Sequence, residues 1–116
     1  MDRIVDTNDK LKIISSFLKE KKYSYIKILD ISKISTLCDY FIIVSFNNMR
    51  TLEVVEDELE DFVASKNIII RSSEGKGTNW ILLDLDDIIV HLFNENDRSF
   101  YNLEKLWADA EFVDIK

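Results

Sequence analysis

The chain has 116 residues, 47% apolar and 32% charged, which suits one packed domain spanning residues 1–116 and excludes both a disordered chain and a pair of ordinary domains. No apolar run approaches the roughly 20 residues needed to cross a bilayer, and Met1 to Asp6 lacks the apolar segment and cleavage site of a secretory signal, so a cytoplasmic protein with no membrane contact is expected. Fifteen Lys plus Arg against 22 Asp plus Glu give a net charge of -7, which argues against nucleic acid as the primary ligand and favours a basic partner.

Leu11, Ile14 and Leu18, with Ile13 and Phe17, recur at helical spacing and predict an opening amphipathic helix that ends near Lys21-Lys22. Tyr25 to Ile31 is rich in β-branched residues and predicts a strand, followed by a polar link from Ser32 to Thr36. Tyr40 to Phe46 is apolar on both faces, which places it at the centre of a sheet. After the cap pair Asn47-Asn48, the positions Leu52, Val55, Leu59, Phe62 and Val63 define one face of a helix running to about Lys66. Its other face carries Glu53, Glu56, Asp57, Glu60 and Asp61, a pattern that ordinarily means solvation.

Three further strands are expected, at Ile68 to Arg71, Trp80 to Leu85 and Ile88 to Phe93, with Asp86-Asp87 turning the last two into an antiparallel hairpin. Phe100, Leu103, Leu106, Trp107 and Ala110 then repeat at spacings of three and four, the mark of a closing helix whose stripe belongs to the core. The fold class expected is α/β, a single domain with a mixed five-stranded sheet and helices packed on it. The only two glycines fall in Glu74-Gly75-Lys76-Gly77, between two strands. A phosphate loop should lead into a helix, whereas this segment leads into the strand at Trp80, so a turn with positive φ is expected.

Catalytic chemistry has little to build on. His91 is the one histidine and shares a strand face with Ile89 and Phe93, which is the position of a core imidazole with a satisfied hydrogen bond. Cys38 is the one cysteine, cannot form an internal disulfide, and is read as a small buried hydrophobe. One Cys and one His cannot furnish a zinc set. The aspartates Asp84, Asp86 and Asp87 could in principle hold a metal, but adjacent aspartates at a hairpin are ordinary turn residues. No metal or cofactor is expected. Trp80 shares a strand face with Leu82 and Asp84. Trp beside a carboxylate is the chemistry of a protein-binding hot spot, and a Trp closing the edge of its own core is the alternative.

The segments Leu29 to Ser32, Cys38 to Ser45, Glu74-Gly75, Trp80 to Phe93 and Arg98 to Ala110 closely resemble the Iojap, or ribosomal silencing factor, family. The family's glycine and serine after the second strand are replaced here by Phe46 and Asn48, while Arg50 matches its basic residue at the helix start. The resemblance implies a sheet of nucleotidyltransferase-like topology without catalytic residues. It also implies a non-enzymatic repressor of translation that binds the large ribosomal subunit through its ribosomal protein fourteen and blocks joining of the small subunit. The docking surface is expected at Trp80, Leu82 and Asp84, with Asp86 and Tyr101 beside them: the indole as buried anchor, the carboxylates as partners for Lys or Arg. The alternative readings are a homodimeric adaptor using an apolar strand face, and a nucleotidyltransferase-like enzyme, for which Ser45-Phe46-Asn47-Asn48 lacks the required Gly-Ser pair.

Overall fold

The computed structural model of the protein describes residues 6–96, 105 and 110–113. The first helix, α1 (Thr7–Lys19), starts where the carboxylate of Asp6 accepts the Asp9 backbone N–H at 2.9 Å, satisfying one of the donors a helix start leaves free. It ends at Glu20, one to two residues before the expected lysines. Strands β1 (Tyr25–Asp30) and β2 (Tyr40–Phe46) pair antiparallel, Ile28 opposite Ile42. Helix α2 (Met49–Ser65) is capped by the Asn48 side chain, which accepts Thr51 N–H at 2.8 Å. Both departures from the family pattern thus have local work: Asn48 caps a helix, and Phe46 is fully buried in the core.

Strands β3 (Ser72–Glu74), β4 (Trp80–Asp84) and β5 (Ile88–Asn94) follow as an antiparallel meander, and β6 (Glu111–Phe112) adds a two-residue edge to β1. The sheet order is β3-β4-β5-β2-β1-β6, mixed because β2 and β5 run parallel, with Tyr40 opposite Ile88 and Phe46 opposite Asn94. The five expected strands are therefore present with β2 in the interior of the sheet, but the third lies four residues later than its sequence position suggested. Ile68 is a core plug, Ile69 is 80% exposed, and only Ser72 to Glu74 face β4, because the Gly75 to Asn79 loop fixes which residues lie opposite Leu82 to Asp84. Of the closing helix, Lys105 is helical and Ala110 is buried; Phe100, Leu103, Leu106 and Trp107 lie outside the described residues.

The two faces of the sheet differ. One is covered by α1 and α2: Ile42, Val44, Phe46, Ile81, Leu83, Val90 and Leu92 meet Leu11, Ile14, Leu18, Leu52, Val55, Leu59 and Val63. Each fully buried aliphatic side chain there contributes about 1.5–3 kcal/mol. The two helices touch through Phe17 and Phe62, stacked at 4.5 Å between centroids. The other face gathers Leu29, Cys38, Phe41, Ile43, Phe93 and Ala110, with Tyr25, Trp80 and Ile89 partly buried against them. No helix among the described residues is long and apolar enough to cross a membrane.

Candidate functional site

Period-two alternation along β4 sends Ile81 and Leu83 to the helix side and leaves Trp80, Leu82 and Asp84 on the second face, as the sequence predicts. Across the ladder these three lie opposite Phe93, His91 and Ile89 of β5. All three are half-buried, so they form the rim of the aromatic cluster rather than its middle, which is occupied by fully buried Ile43 and Phe93.

Trp80 has both an inward and an outward part. Its ring stacks on Phe93 at 5.0 Å and 22°, and its indole Nε1–H donates to His91 Nδ1 at 3.0 Å. The polar tip is spent inside the protein, and the residue as a whole stays half-buried. His91 is buried, and its ring sits edge-on to Phe41 at 4.6 Å. Burial pulls its pKa down to about 3, so it is neutral at physiological pH with Nδ1 accepting and the proton on Nε2, an atom that has no hydrogen-bond partner among the described residues. This is the core histidine expected from the sequence, held by the same tryptophan that marks the rim. Cys38 is buried too, donates to the Tyr40 carbonyl at 3.3 Å, and has its thiol pushed by burial up to about 12, which removes it as a nucleophile.

Beyond Trp80 and Leu82 the rim becomes polar. Asp84 accepts the Asp86 backbone N–H at 2.8 Å, and Arg71 reaches both carboxylates, Asp84 at 3.6 Å and Asp86 at 2.8 Å. Asp86 has φ of 80°, the conformation that lets the hairpin turn in so few residues, with Asp87 N–H bonded back to the Leu85 carbonyl at 3.2 Å. Asp86 is therefore both the turn residue and an exposed carboxylate. Asp87 points the other way and ties α1 to the hairpin: its side chain accepts Lys10 Nζ at 2.6 Å and the Thr7 hydroxyl, while Lys10 also donates to the Leu85 carbonyl at 3.1 Å. Burial pushes the Asp87 pKa up, but Lys10 and Thr7 outweigh it and hold the carboxyl below its ordinary range. Tyr101, the fifth expected contact residue, lies outside the described residues.

The acidic face of α2 departs from the expectation of simple solvation. Glu56 is only 3% exposed. Its spacing from Leu52, Leu59 and Val63 puts it on the apolar seam of α2, and Lys76 of the β3–β4 loop reaches it there, 3.5 Å from Glu56 and 2.9 Å from Glu60. Glu56, Asp57 and Glu60 bring carboxylate oxygens within 4.8 Å of one another, the one group among the described residues with metal-ligand composition; Lys76 already supplies positive charge to it. The loop itself is the predicted turn, with φ of 86° at Gly75 and 83° at Gly77. A Cβ on Gly75 would fall 2.0 Å from the Trp80 carbonyl oxygen, so only glycine fits where the loop folds back on β4.

Comparison with known proteins places these features in a family. The profile described as "Ribosomal silencing factor during starvation" matches residues 5–116. The chain is similar to the "Ribosomal silencing factor RsfS" of Bacillus subtilis, 37% identical over 106 residues that make up 90% of each chain. It is also similar to "Protein Iojap, chloroplastic" of Zea mays, 26% identical over 83% of this chain and 42% of that one. Among solved structures, a crystal structure from Bacillus halodurans superposes with a TM-score of 0.83 at 30% identity, covering 94% of this chain and all of that one.

Proposed function

Since the chain belongs to the family of ribosomal silencing factors, we propose that it acts in the cytoplasm as a steric blocker, binding the large ribosomal subunit through ribosomal protein fourteen and preventing the small subunit from joining. The observation that carries this reading is the family match, which runs over residues 5–116 and includes the β4–β5 hairpin. The chemistry of the rim fits such a role. Trp80 and Leu82 offer a half-buried apolar centre, and Glu74, Asp84 and Asp86 offer carboxylates around it that suit the Lys and Arg of a ribosomal protein. No bond is made or broken in this mechanism, in keeping with a neutral, buried His91 and a Cys38 that stays protonated.

Sucrose-gradient sedimentation of the purified protein with separated subunits tests the proposal. The protein should travel with the large subunit and reduce the yield of joined ribosomes when the small subunit is added. Protein that stays at the top of the gradient at low salt would overturn it. Within that assay Trp80→Phe keeps the stack on Phe93 but removes the wider ring, and should weaken comigration; unchanged comigration would move the docking surface away from β4.

A further inference from the structure

The contact between α2 and the β3–β4 loop has a feature that solvation of an acidic face does not require. Glu56 Oε1 is shut from water and takes no hydrogen bond among the described residues; its nearest positive charge is Lys76, at ion-pair distance. A buried carboxylate in that position needs either a closer cation or a proton. The groups facing it are Glu60 and Asp57 on its own helix, both acidic, and Lys76 on the loop. Two negative neighbours and one largely exposed lysine favour the proton. Glu60 has the complementary surroundings: it bonds Lys76 at 2.9 Å and stays ionised.

We propose that Glu56 and Glu60 share a single proton at neutral pH, and that its loss converts Lys76 from a partner of one carboxylate into a clamp between two, making the β3–β4 loop a pH-sensitive latch on α2. Below the transition, neutral Glu56 hydrogen-bonds Glu60 and Lys76 pairs with Glu60 alone. Above it, two adjacent anions repel each other and both draw on the same ammonium, so the loop is held more tightly while the helix beneath it is strained. Burial, followed by the Glu60 neighbour, raises the Glu56 pKa to about 8, and Lys76 moderates the rise. The effect would reach β4, because Thr78 of the same loop bonds the Trp80 carbonyl at 3.0 Å.

Carboxyl carbon-13 NMR of the full chain from pH 4 to 10 tests it. Glu56 should titrate near pH 8 while Glu60 titrates among or below the ordinary carboxylates, and the Gly75 and Gly77 amides should shift with the Glu56 midpoint. Replacing the ammonium, in Lys76→Met, should move that midpoint upward. In Glu56→Gln, which imitates the protonated form, the loop amides should no longer respond near pH 8. A Glu56 midpoint in the range of pH 4 to 5 would overturn the shared proton; loop amides that stay still while Glu56 titrates near 8 would overturn the latch.

Discussion

The two faces of the sheet are built from different materials, though one chain alternates between them residue by residue. On the helix side, Ile42, Val44, Ile81, Leu83, Val90 and Leu92 meet the aliphatic stripes of α1 and α2. Those residues have no polar atoms to satisfy, and shape alone decides their fit. On the other side, Trp80, His91, Phe41 and Phe93 form an aromatic cluster tied by one hydrogen bond, with Cys38 beside it and a polar rim of Asp84, Asp86 and Arg71. The first face gives stability. The second trades some apolar burial for groups whose hydrogen bond and ion pairs fix an orientation.

The largest loss of stability is expected on the helix side of the sheet. Ile42→Ala, in the middle of β2, should cost about 3–5 kcal/mol of unfolding free energy in a urea titration, by lost transfer energy and the cavity left under two helices. A cost under about 1 kcal/mol would mean the helix face is not the core. Next comes acid sensitivity of the aromatic face. The folded state holds His91 neutral down to about pH 3, whereas an unfolded histidine takes a proton near its ordinary value of 6.5. Its contribution is therefore complete above 6.5 and lost as pH falls from there toward 3, on the order of 3 kcal/mol by pH 4. His91→Phe should remove that part of the slope in a series of thermal melts, and an unchanged slope would assign it elsewhere.

Trp80→Ala sharpens the contrast because the two roles of the residue separate in two measurements. Loss of the stack and the His91 bond should lower stability by about 1–2 kcal/mol; loss of an anchor should lower large-subunit affinity by roughly 2 kcal/mol or more. A drop in stability with intact binding would make Trp80 purely structural. Lys10→Met should cost about 1–2 kcal/mol at neutral pH by leaving the half-buried Asp87 with Thr7 alone. Asp87 has a lowered folded pKa, so its stabilisation is present above the ordinary carboxylate range and fades as pH falls through the folded value. Lys10→Met should therefore matter less in acid than at neutral pH. Smallest of all, Asp86→Asn should change stability by less than about 0.5 kcal/mol, since its Arg71 pair is exposed. Its effect on association with the large subunit should appear in the on-rate and fade with salt.

Much of the architecture was legible because it is local. Hydrophobic spacing located α1 and α2, the run from Tyr40 to Phe46 announced an interior strand, and alternation assigned Trp80, Leu82 and Asp84 to one face. Ile68 to Ile70 misled because β-branched composition reports what could be a strand, while pairing is set by the loop length across the chain. Glu56 misled for the opposite reason. The seam Leu52, Glu56, Leu59, Val63 was visible in the spacing, but the residue type argued for water, and the loop that buries it arrives only at Lys76. The Trp80–His91 bond likewise joins two strands and could not be read from either; only the pairing of Leu82 with His91 sets the two rings together.

The parallel pairing of β2 with β5 bears on how the protein is made. A ribosome synthesising the chain releases Tyr40 to Phe46 well before Ile88 to Asn94, the segment that must lie beside it. Until then β2, apolar on both faces, has β1 on one edge and nothing permanent on the other. Such an exposed edge is a template for unwanted strand addition, and closing it requires the whole intervening stretch of α2, β3 and β4 to emerge first. Emergence of β5 from the exit tunnel is thus the step at which the nascent domain gives up its exposure to aggregation, and slow translation between Met49 and Ile88 would lengthen that exposure.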